Sequence, residues 1–485
     1  MRQHLVLYVN GRRLEVAGAD AFSTLADYVR TSLRLTGTKV VCAEGDCGSC
    51  SVLVGRMENG KLVYRAVDSC IQLLFQLDGT HVISVEGLSR EGKLSPVQQA
   101  MVTRHGSQCG YCTPGFVVAM TGLLESQPEL DSEGWRCGLA GNLCRCTGYA
   151  SILEAGQQAV VQAHQPLAEQ YPHDNIAAEF HQLQLEAFEI QAAARRVFSP
   201  VTTQEAVEFL TANPSAKIVA GATDVGVQMN KRVISPTIFL DLNRIDTLRE
   251  VRFEGPDTDG STNKVLCCGA GARWVDLEPI CREHSPEFAE IVSVFGSPQI
   301  RHVGTIGGNI VNASPIADSL PFLFVTEAQL EITGPQQTRT VNINEFYHGY
   351  RQTDLKPGEL LTGVRIPLPG PNQSLSLYKV SRRRDLDIAS FTAAILLEVV
   401  NGEIADARIA LGAVGPTVIR ARKTEAYLRG KPFSEAVMQG AGELAVNEIS
   451  PISDVRGTAD FRWQLTRNVF LKYYLERMRS AQKSA

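Results

Sequence analysis

The sequence predicts an α+β protein built from several domains, and three observations carry that prediction. The chain has 485 residues, enough for about three domains at roughly 150 residues each. Short apolar runs ending in turn pairs such as Asn10-Gly11 are interspersed irregularly with helix-like stretches. Nine of the twelve cysteines fall in the first 150 residues, so chemistry and texture change together along the chain. With 44% hydrophobic and 20% charged residues the chain has ample apolar surface for a core, which excludes disorder as its main state. A net charge of −5 gives no field that would draw the whole chain to nucleic acid or a membrane. No run approaches the ~18 apolar residues of a membrane helix. The apolar run at 5–9 is too short for a secretory signal, so a cytoplasmic location is expected. A long cytosolic chain with clustered cysteines points to metal or redox chemistry rather than a disulfide scaffold.

Taken in order, 5–9 and 13–16 flank Asn10-Gly11, a pair that tolerates the positive φ values of a type I′ hairpin. Residues 22–35 read as a helix, 39–41 lead into the first cysteines, and 51–54 and 62–64 read as strands, which makes a small mixed sheet with one helix. Ser95-Pro96, an N-cap followed by proline, opens a helix to about 106. Residues 116–124, entered through Thr113-Pro114-Gly115, and 151–163 are two more helices. The Gln/His/Glu-rich stretch 164–195 shows no strand pattern and reads as a linker, with an exposed amphipathic helix fitting it equally. A capping box at Thr202 and Glu205 marks a new domain start near 196. Strands follow at 218–221, 238–240 and 265–269. Beyond the proline-rich 367–372 come strands near 376–380, 391–400 and 406–413, with helices after Arg420.

Cys42, Cys47 and Cys50 follow a Cys-x4-Cys-x2-Cys spacing with Cys70 twenty positions on, the plant-type [2Fe–2S] pattern. Gly45 and Gly48 would let a tight loop wrap a cluster and aim N–H groups at its sulfurs. Four thiolates also bind zinc, but zinc sites favour two short Cys-x2-Cys arms. A second quartet combines Cys109 and Cys112, in Gln108-Cys109-Gly110-Tyr111-Cys112, with Cys144 and Cys146, in Asn142-Leu143-Cys144-Arg145-Cys146. By spacing alone zinc is a serious rival there, while the neighbouring plant-type pattern favours a second [2Fe–2S] cluster. Each arm precedes a helix start, whose positive dipole end suits an anionic cluster. Cys137, left over, reads as a small buried hydrophobe.

Two clusters in series imply a one-electron wire, and a wire needs a terminus. The run Lys217, Ile218, Val219, Ala220, Gly221, Ala222, Thr223, Asp224, Val225 is a strand entering a small-residue turn, and Gly304-Thr305-Ile306-Gly307-Gly308-Asn309 is a second such turn. Both can offer backbone N–H groups to a diphosphate, although each alone fits a plain strand–turn better. Gly269-Ala270-Gly271 lacks the third glycine of a dinucleotide fingerprint and reads as a structural turn. His302 reads as structural, and 381–387 as a solvated charged loop. No Walker A motif, nucleophile elbow or His-Glu-x-x-His motif occurs.

Together the two cysteine motifs and the runs 108–115 and 141–149 closely resemble the molybdenum hydroxylase family, and within it the small, electron-transferring subunits of bacterial xanthine dehydrogenases. The resemblance covers essentially the whole chain. It implies a β-grasp ferredoxin domain over 1–78, a helical-bundle [2Fe–2S] domain over 79–163 and a linker over 164–195. It further implies a vanillyl-alcohol-oxidase-like (PCMH-type) FAD-binding domain over 196–372 and a CO-dehydrogenase-flavoprotein-like C-terminal domain over 373–485. The metal ligands would be Cys42, Cys47, Cys50, Cys70, Cys109, Cys112, Cys144 and Cys146. FAD would lie on 217–225 and on Thr305, Ile306, Gly307, Gly308 and Asn309, with Phe295, Asp318, Leu361 and Lys379 contacting the rest of it. Gln108 matches a glutamine that in the family lies against molybdopterin. Vertebrate members carry consecutive acidic residues in the loop that Leu386 interrupts here. The resemblance puts no molybdenum domain in this chain. Purine hydroxylation is therefore expected on a large molybdopterin subunit, in a heterotetramer of two small and two large subunits, with no catalytic residue here and NAD+ as the acceptor. An aldehyde or N-heterocycle hydroxylase with another acceptor is the alternative.

Overall fold

The computed structural model describes residues 1–127, 129–161, 166–171, 173–255 and 264–484. These form two compact units, Met1–Asp246 with Gly296–Gly304, and Thr247–Phe295 with Thr305–Ala485.

The first unit opens with a five-stranded sheet of β1 (Leu5–Val9), β2 (Arg12–Val16), β3 (Ser51–Glu58), β4 (Lys61–Asp68) and β5 (Thr80–Ile83), in the order β2-β1-β5-β3-β4. Asn10 and Gly11 take φ values of 50° and 81°, as the β1–β2 hairpin requires, and Asn59 and Gly60 repeat this between β3 and β4 at 49° and 76°. Strand β5 lies in the middle of the sheet, parallel to β1 and antiparallel to β3. The first domain therefore extends past the expected boundary at 78, because the fully buried Thr80–Ile83 is needed to close the sheet. The helix expected over 22–35 is much shorter. One α turn, Leu25–Asp27, passes into a π turn at Tyr28–Ser32, and Arg34 ends it in the left-handed region at φ 60°.

Four helices follow: α1 (Pro96–Thr103), α2 (Thr113–Ser126), α3 (Ser132–Gly138) and α4 (Ala150–Val161). Helix α1 starts on the expected cap, with the Ser95 hydroxyl accepting the Gln98 N–H and Gln98 reaching back to Ser95. They bury Phe116, Met120, Trp135 and Ile152 around one core with Leu53 and Ala66 of the sheet. Cys137 does not join that core: it is exposed, because Trp135 takes the inner face of the short α3 while Cys137 lies one turn from Glu133, 3.6 Å from its carboxylate.

Over 164–195 the structure has the helix that fits the sequence as well as a linker does, and corrects the linker and the absence of strands. Helix α5 (His173–Leu183) straps the first sheet, where Glu179 accepts from Tyr8 at 2.6 Å and from Arg13 at 2.8 Å. Two strands then begin a second sheet. It comprises β6 (Phe188–Ala192), β7 (Arg195–Ser199), β8 (Lys217–Val219) and β9 (Ile238–Asp241), in the order β6-β7-β9-β8. Its core is not its own. Phe188, Ile190, Val197 and Phe239 pack in one cluster with Leu5, Phe22 and Phe75 of the first sheet, and the Phe239 ring sits 5.3 Å from that of Phe75.

In the second unit β10 (Val251–Glu254), β11 (Val265–Gly269), β12 (Gln329–Thr333), β13 (Thr338–Asn342) and β16 (Leu360–Pro367) make one sheet, with a small hairpin of β14 (Tyr347–Gly349) and β15 (Gln352–Thr353) beside it in the sequence. A last antiparallel sheet comprises β17 (Gln373–Val380), β18 (Phe391–Val400), β19 (Glu403–Gly412) and β20 (Ile419–Arg420). Strand β18 is nearly all apolar because both its faces are covered. Ala394 and Leu396 pack into the core of the preceding sheet, while Ala393, Ile395 and Leu397 pack against Leu428, Met438 and Phe470 of the C-terminal helices. Among the described residues no helix is long and apolar enough to cross a membrane.

Removing a fully buried aromatic side chain costs about 3–5 kcal/mol. Phe239→Ala should lose that much in chemical denaturation. A loss under about 1 kcal/mol, well below that range, would refute the shared core.

Candidate iron–sulfur and flavin sites

The nineteen residues between Cys50 and Cys70 are a hairpin. Cys50 enters β3 and Cys70 follows β4, and the strands pair Ser51 with Asp68, which brings both buried cysteines to one end. Cys42 and Cys47 come from the loop before β3. Gly45 and Gly48 in that loop take φ values of 70° and 67°, and a Cβ on Gly48 would collide with the Gly141 carbonyl oxygen. The Glu44 N–H reaches the Cys42 sulfur at 3.4 Å. Hydrogen bonds from Cys47 and then Cys70 push the Cys42 thiol well below its ordinary range, and the same bonds push Cys47 and Cys70 up. Asp68 lies beside this quartet, 3.6 Å from the Cys50 sulfur, and burial followed by the Cys42 charge pushes its carboxyl up to about 7.

The second quartet faces solvent. Cys109 and Cys146 are exposed and Cys112 and Cys144 half-buried, whereas Cys50 and Cys70 are buried. Cys112 caps α2, and Gly110 turns the preceding loop at φ 84°. Burial, then a hydrogen bond to Cys144, pushes the Cys112 thiol up to about 12, and a bond to Cys109 raises Cys146. Thr147 Oγ1 lies 3.2 Å from the Cys144 sulfur, and the Tyr149 hydroxyl accepts the Cys144 N–H at 3.0 Å. Among the described residues no three His, Cys, Asp or Glu side chains converge as a single-ion site requires. In the first quartet hydrogen bonds link Cys47, Cys42, Cys70 and Cys50 in a row, and in the second they link Cys112 with Cys144 and Cys109 with Cys146, so each place gathers the four thiols that a [2Fe–2S] cluster takes. The two cysteine loops also touch through backbone, where Leu143 N–H donates to the Cys47 carbonyl at 3.0 Å.

The two Gly-rich turns turn out differently. In the first unit, Val219 ends β8 and the Ala220 carbonyl accepts from Gln76 and Asn243 at 2.6 and 2.8 Å. A Cβ on Gly221 would collide with the Val303 carbonyl, and Ala222 is left-handed at φ 58°. Among the described residues nothing accepts from the N–H groups of Ala222, Thr223 and Asp224, an open row of donors of the kind that cradles anions. In the second unit, Thr305–Asn309 is a helix start rather than an open turn. Thr305 caps Ile306–Val311, and the N–H groups of Ile306, Gly307 and Gly308 go to Ala272 O, Ala270 O and Thr305 Oγ1 at 3.0, 2.8 and 3.1 Å. The backbone donors expected at this second turn are thus taken within the chain, because Gly307 packs directly on Ala270.

Elsewhere in the second unit Lys379 Nζ donates to Asp318 Oδ2 at 2.7 Å and to the Val294 carbonyl at 3.0 Å. Burial raises the Asp318 carboxyl while Lys379 opposes that, and Asp318 Oδ1 is buried with no partner from the chain. An orphaned carboxylate oxygen beside a buried ammonium fits a polar ligand group. Phe295 packs on Trp274 at 5.1 Å, and Leu361 lies in the core on β16. Gly269 packs against the Leu248 backbone, as a structural turn should. Gln108 is exposed beside Cys109. Sequence reasoning missed Asp68 and the buried Gln299, neither of which lies in a recognisable spacing.

Three families match: "[2Fe-2S] binding domain" over 84–157, "FAD binding domain in molybdopterin dehydrogenase" over 188–369, and "CO dehydrogenase flavoprotein C-terminal domain" over 376–477. Xanthine dehydrogenase of Drosophila subobscura is 30% identical over 97% of the chain, and xanthine dehydrogenase 1 of Arabidopsis thaliana 31% over 97%. The chain spans 39% of the length of each of these relatives. Among solved structures, a carbon monoxide dehydrogenase chain from Hydrogenophaga pseudoflava aligns with TM-score 0.53 and 30% identity, over 57% of this chain and 94% of that one. Quinoline 2-oxidoreductase from Pseudomonas putida 86 aligns with TM-score 0.53 and 28% identity, over 58% and 96%. The chain belongs to the molybdenum hydroxylase family and carries that family's electron-transferring [2Fe–2S] and FAD domains.

Cys47→Ser should remove one of two iron–sulfur EPR signals and leave the other, and survival of both would refute the ligand assignment. Lys379→Met strands the Asp318 charge in the core, a loss of about 3–5 kcal/mol in chemical denaturation. Adding Asp318→Asn should recover most of it.

Proposed function

We propose that this chain is the electron-transferring subunit of a xanthine dehydrogenase. Hypoxanthine or xanthine is hydroxylated at molybdopterin on a large partner subunit, and NAD+ receives the electrons at this chain's flavin. The observation that carries the reading is the contrast in exposure between the quartets: Cys109 and Cys146 face solvent, where a partner subunit can dock, while Cys50 and Cys70 are buried. The kinship to xanthine dehydrogenases along 97% of the chain supports the purine substrate.

When bound, the two clusters supply one-electron relay and FAD supplies the exchange between single electrons and hydride. The protein's part is holding and shielding. Gly45 and Gly48 keep the Cys42–Cys47 loop tight, and the backbone donors around the thiolates favour their charged form. The N–H groups of Ala222, Thr223 and Asp224 are our assignment for the FAD diphosphate, together with Lys217, Ile218, Val219, Ala220, Gly221 and Val225. In the second unit we assign Asp318 and Lys379 to the flavin's polar groups. Phe295, Leu361 and the segment Thr305, Ile306, Gly307, Gly308, Asn309 provide its surroundings. Gln108 stands on the molybdopterin side. We assign the assembly as two small and two large subunits in the cytoplasm.

A second reading is the equivalent subunit of an aldehyde or N-heterocycle hydroxylase using another acceptor, favoured by the likeness to quinoline 2-oxidoreductase. The deciding experiment is xanthine-driven NADH formation, with air excluded, by the complex that copurifies with this chain. NADH is the expected product. Xanthine-driven reduction of an artificial dye without NADH would move the acceptor elsewhere. No turnover with xanthine, from a complex containing molybdenum and FAD, would favour the second reading.

A further inference from the structure

The short helix Pro298–Arg301 lies within the stretch that matches the FAD-binding family, yet it belongs to the first unit. Its Gln299 is almost fully buried, at 1% exposure. The side-chain amide donates to Asn142 Oδ1 at 2.8 Å and to Ser51 Oγ at 3.2 Å. Asn142, itself 2% exposed, donates in turn to the Gly48 carbonyl at 3.0 Å, and the Ser51 hydroxyl donates to the same carbonyl at 2.8 Å. Gln299 thereby grips both cysteine loops at once: Ser51 follows Cys50 of the first quartet, and Asn142 stands two residues before Cys144 of the second. Glycines let the backbones close in around it. A Cβ on Gly141 would collide with the Gln299 amide oxygen, and a Cβ on Gly115 with the Gly48 carbonyl. The next residue, Ile300, packs on Cys50, Cys70 and Ile71.

A buried amide network stabilises less than well-packed apolar side chains would unless each partner is satisfied, and what it provides is fixed geometry. Here the geometry it fixes is the spacing of two cysteine loops that also touch directly, through the Asn142 amide on the Gly48 carbonyl and the Leu143 N–H on the Cys47 carbonyl. We propose that Gln299 and Asn142 are positioning residues that set the separation of the two iron–sulfur clusters, and with it the rate of electron exchange between them. The inference rests on both quartets holding [2Fe–2S] clusters.

The test uses the purified full-length complex carrying Gln299→Leu or Gln299→Met. His302→Ala is the packing control, since it removes the neighbouring tie to the carbonyl of Ala66 on β4 (2.7 Å) and lies outside both cysteine loops in the chain. Low-temperature EPR of the fully reduced protein reads the magnetic interaction between the clusters, and rapid mixing reads how fast the first quartet's cluster follows the second. Loss of an outer-shell partner at a metal site changes function roughly 10–100-fold. The Gln299 variants should therefore keep both cluster signals, show a changed splitting and slow the exchange about tenfold or more, while His302→Ala matches the parent. An unchanged splitting and rate in the Gln299 variants would overturn the proposal, as would the same change in His302→Ala. Loss of the clusters in both Gln299 variants would also overturn it, by making the clasp an assembly element instead of a spacer. A parent protein without two [2Fe–2S] signals would fail the underlying reading, whatever the variants show.

Discussion

The backbone of Cys47 and Gly48 is the point on which the first unit depends. Here the loops that carry the two cysteine quartets come close enough to touch through backbone, at the Leu143 N–H and the Cys47 carbonyl. The Gly48 carbonyl accepts from Ser51 and Asn142, the Cys47 carbonyl accepts from Leu143, and Gly115 and Gly141 leave room for the approach. The β3–β4 hairpin, the start of α2 and the loop before α4 can each be seen as the means by which one pair of cysteines reaches that junction. The backbone bond from Leu143 to Cys47 orders no side chain, while Asn142 and Ser51 are ordered by burial beside it.

Much of this was legible in the chain because thiolate chemistry is local. The spacings of Cys42, Cys47, Cys50 and Cys70 and of the second quartet follow from how tightly a loop must wrap a cluster, and Asn10-Gly11 and Ser95-Pro96 announce their elements through their own backbone preferences. In the segment 164–195 the helix is the alternative the sequence allows, whereas the strands at its end are not legible because their order is not local. Phe188 and Ile190 become a strand only against β7 and the first sheet's core, and α5 is held by Glu179 reaching Tyr8 and Arg13 more than 160 residues away in sequence. The early end of the first helix at Arg34 and the exposure of Cys137 have the same origin, since packing decided which face turned inward. Asp318 and Lys379, 61 residues apart, are legible only through the family resemblance, and the Gln299 contacts carry no sequence signature.

The two Gly-rich turns show how similar sequences can divide labour. Both consist of small residues next to an apolar run, and both were expected to present backbone donors. Only the turn at Ala222 keeps them open; at Gly307 the same smallness serves close packing on Ala270 and a capped helix start. Small residues license close approach. What approaches, a ligand or another piece of backbone, is decided by the surrounding fold.

The single core shared by the first sheet and the β6–β9 sheet bears on how such a protein can be divided. Phe188, Ile190, Val197 and Phe239 share one apolar cluster with Leu5, Phe22 and Phe75. A polypeptide cut between α5 and β6 would leave two fragments, each with half of a greasy seam facing water, and they would have to recombine to stay folded. The seam ties what looks in the sequence like a string of interchangeable modules into one shared core, so a break at the stretch that reads as a linker leaves two pieces that stay folded by remaining together.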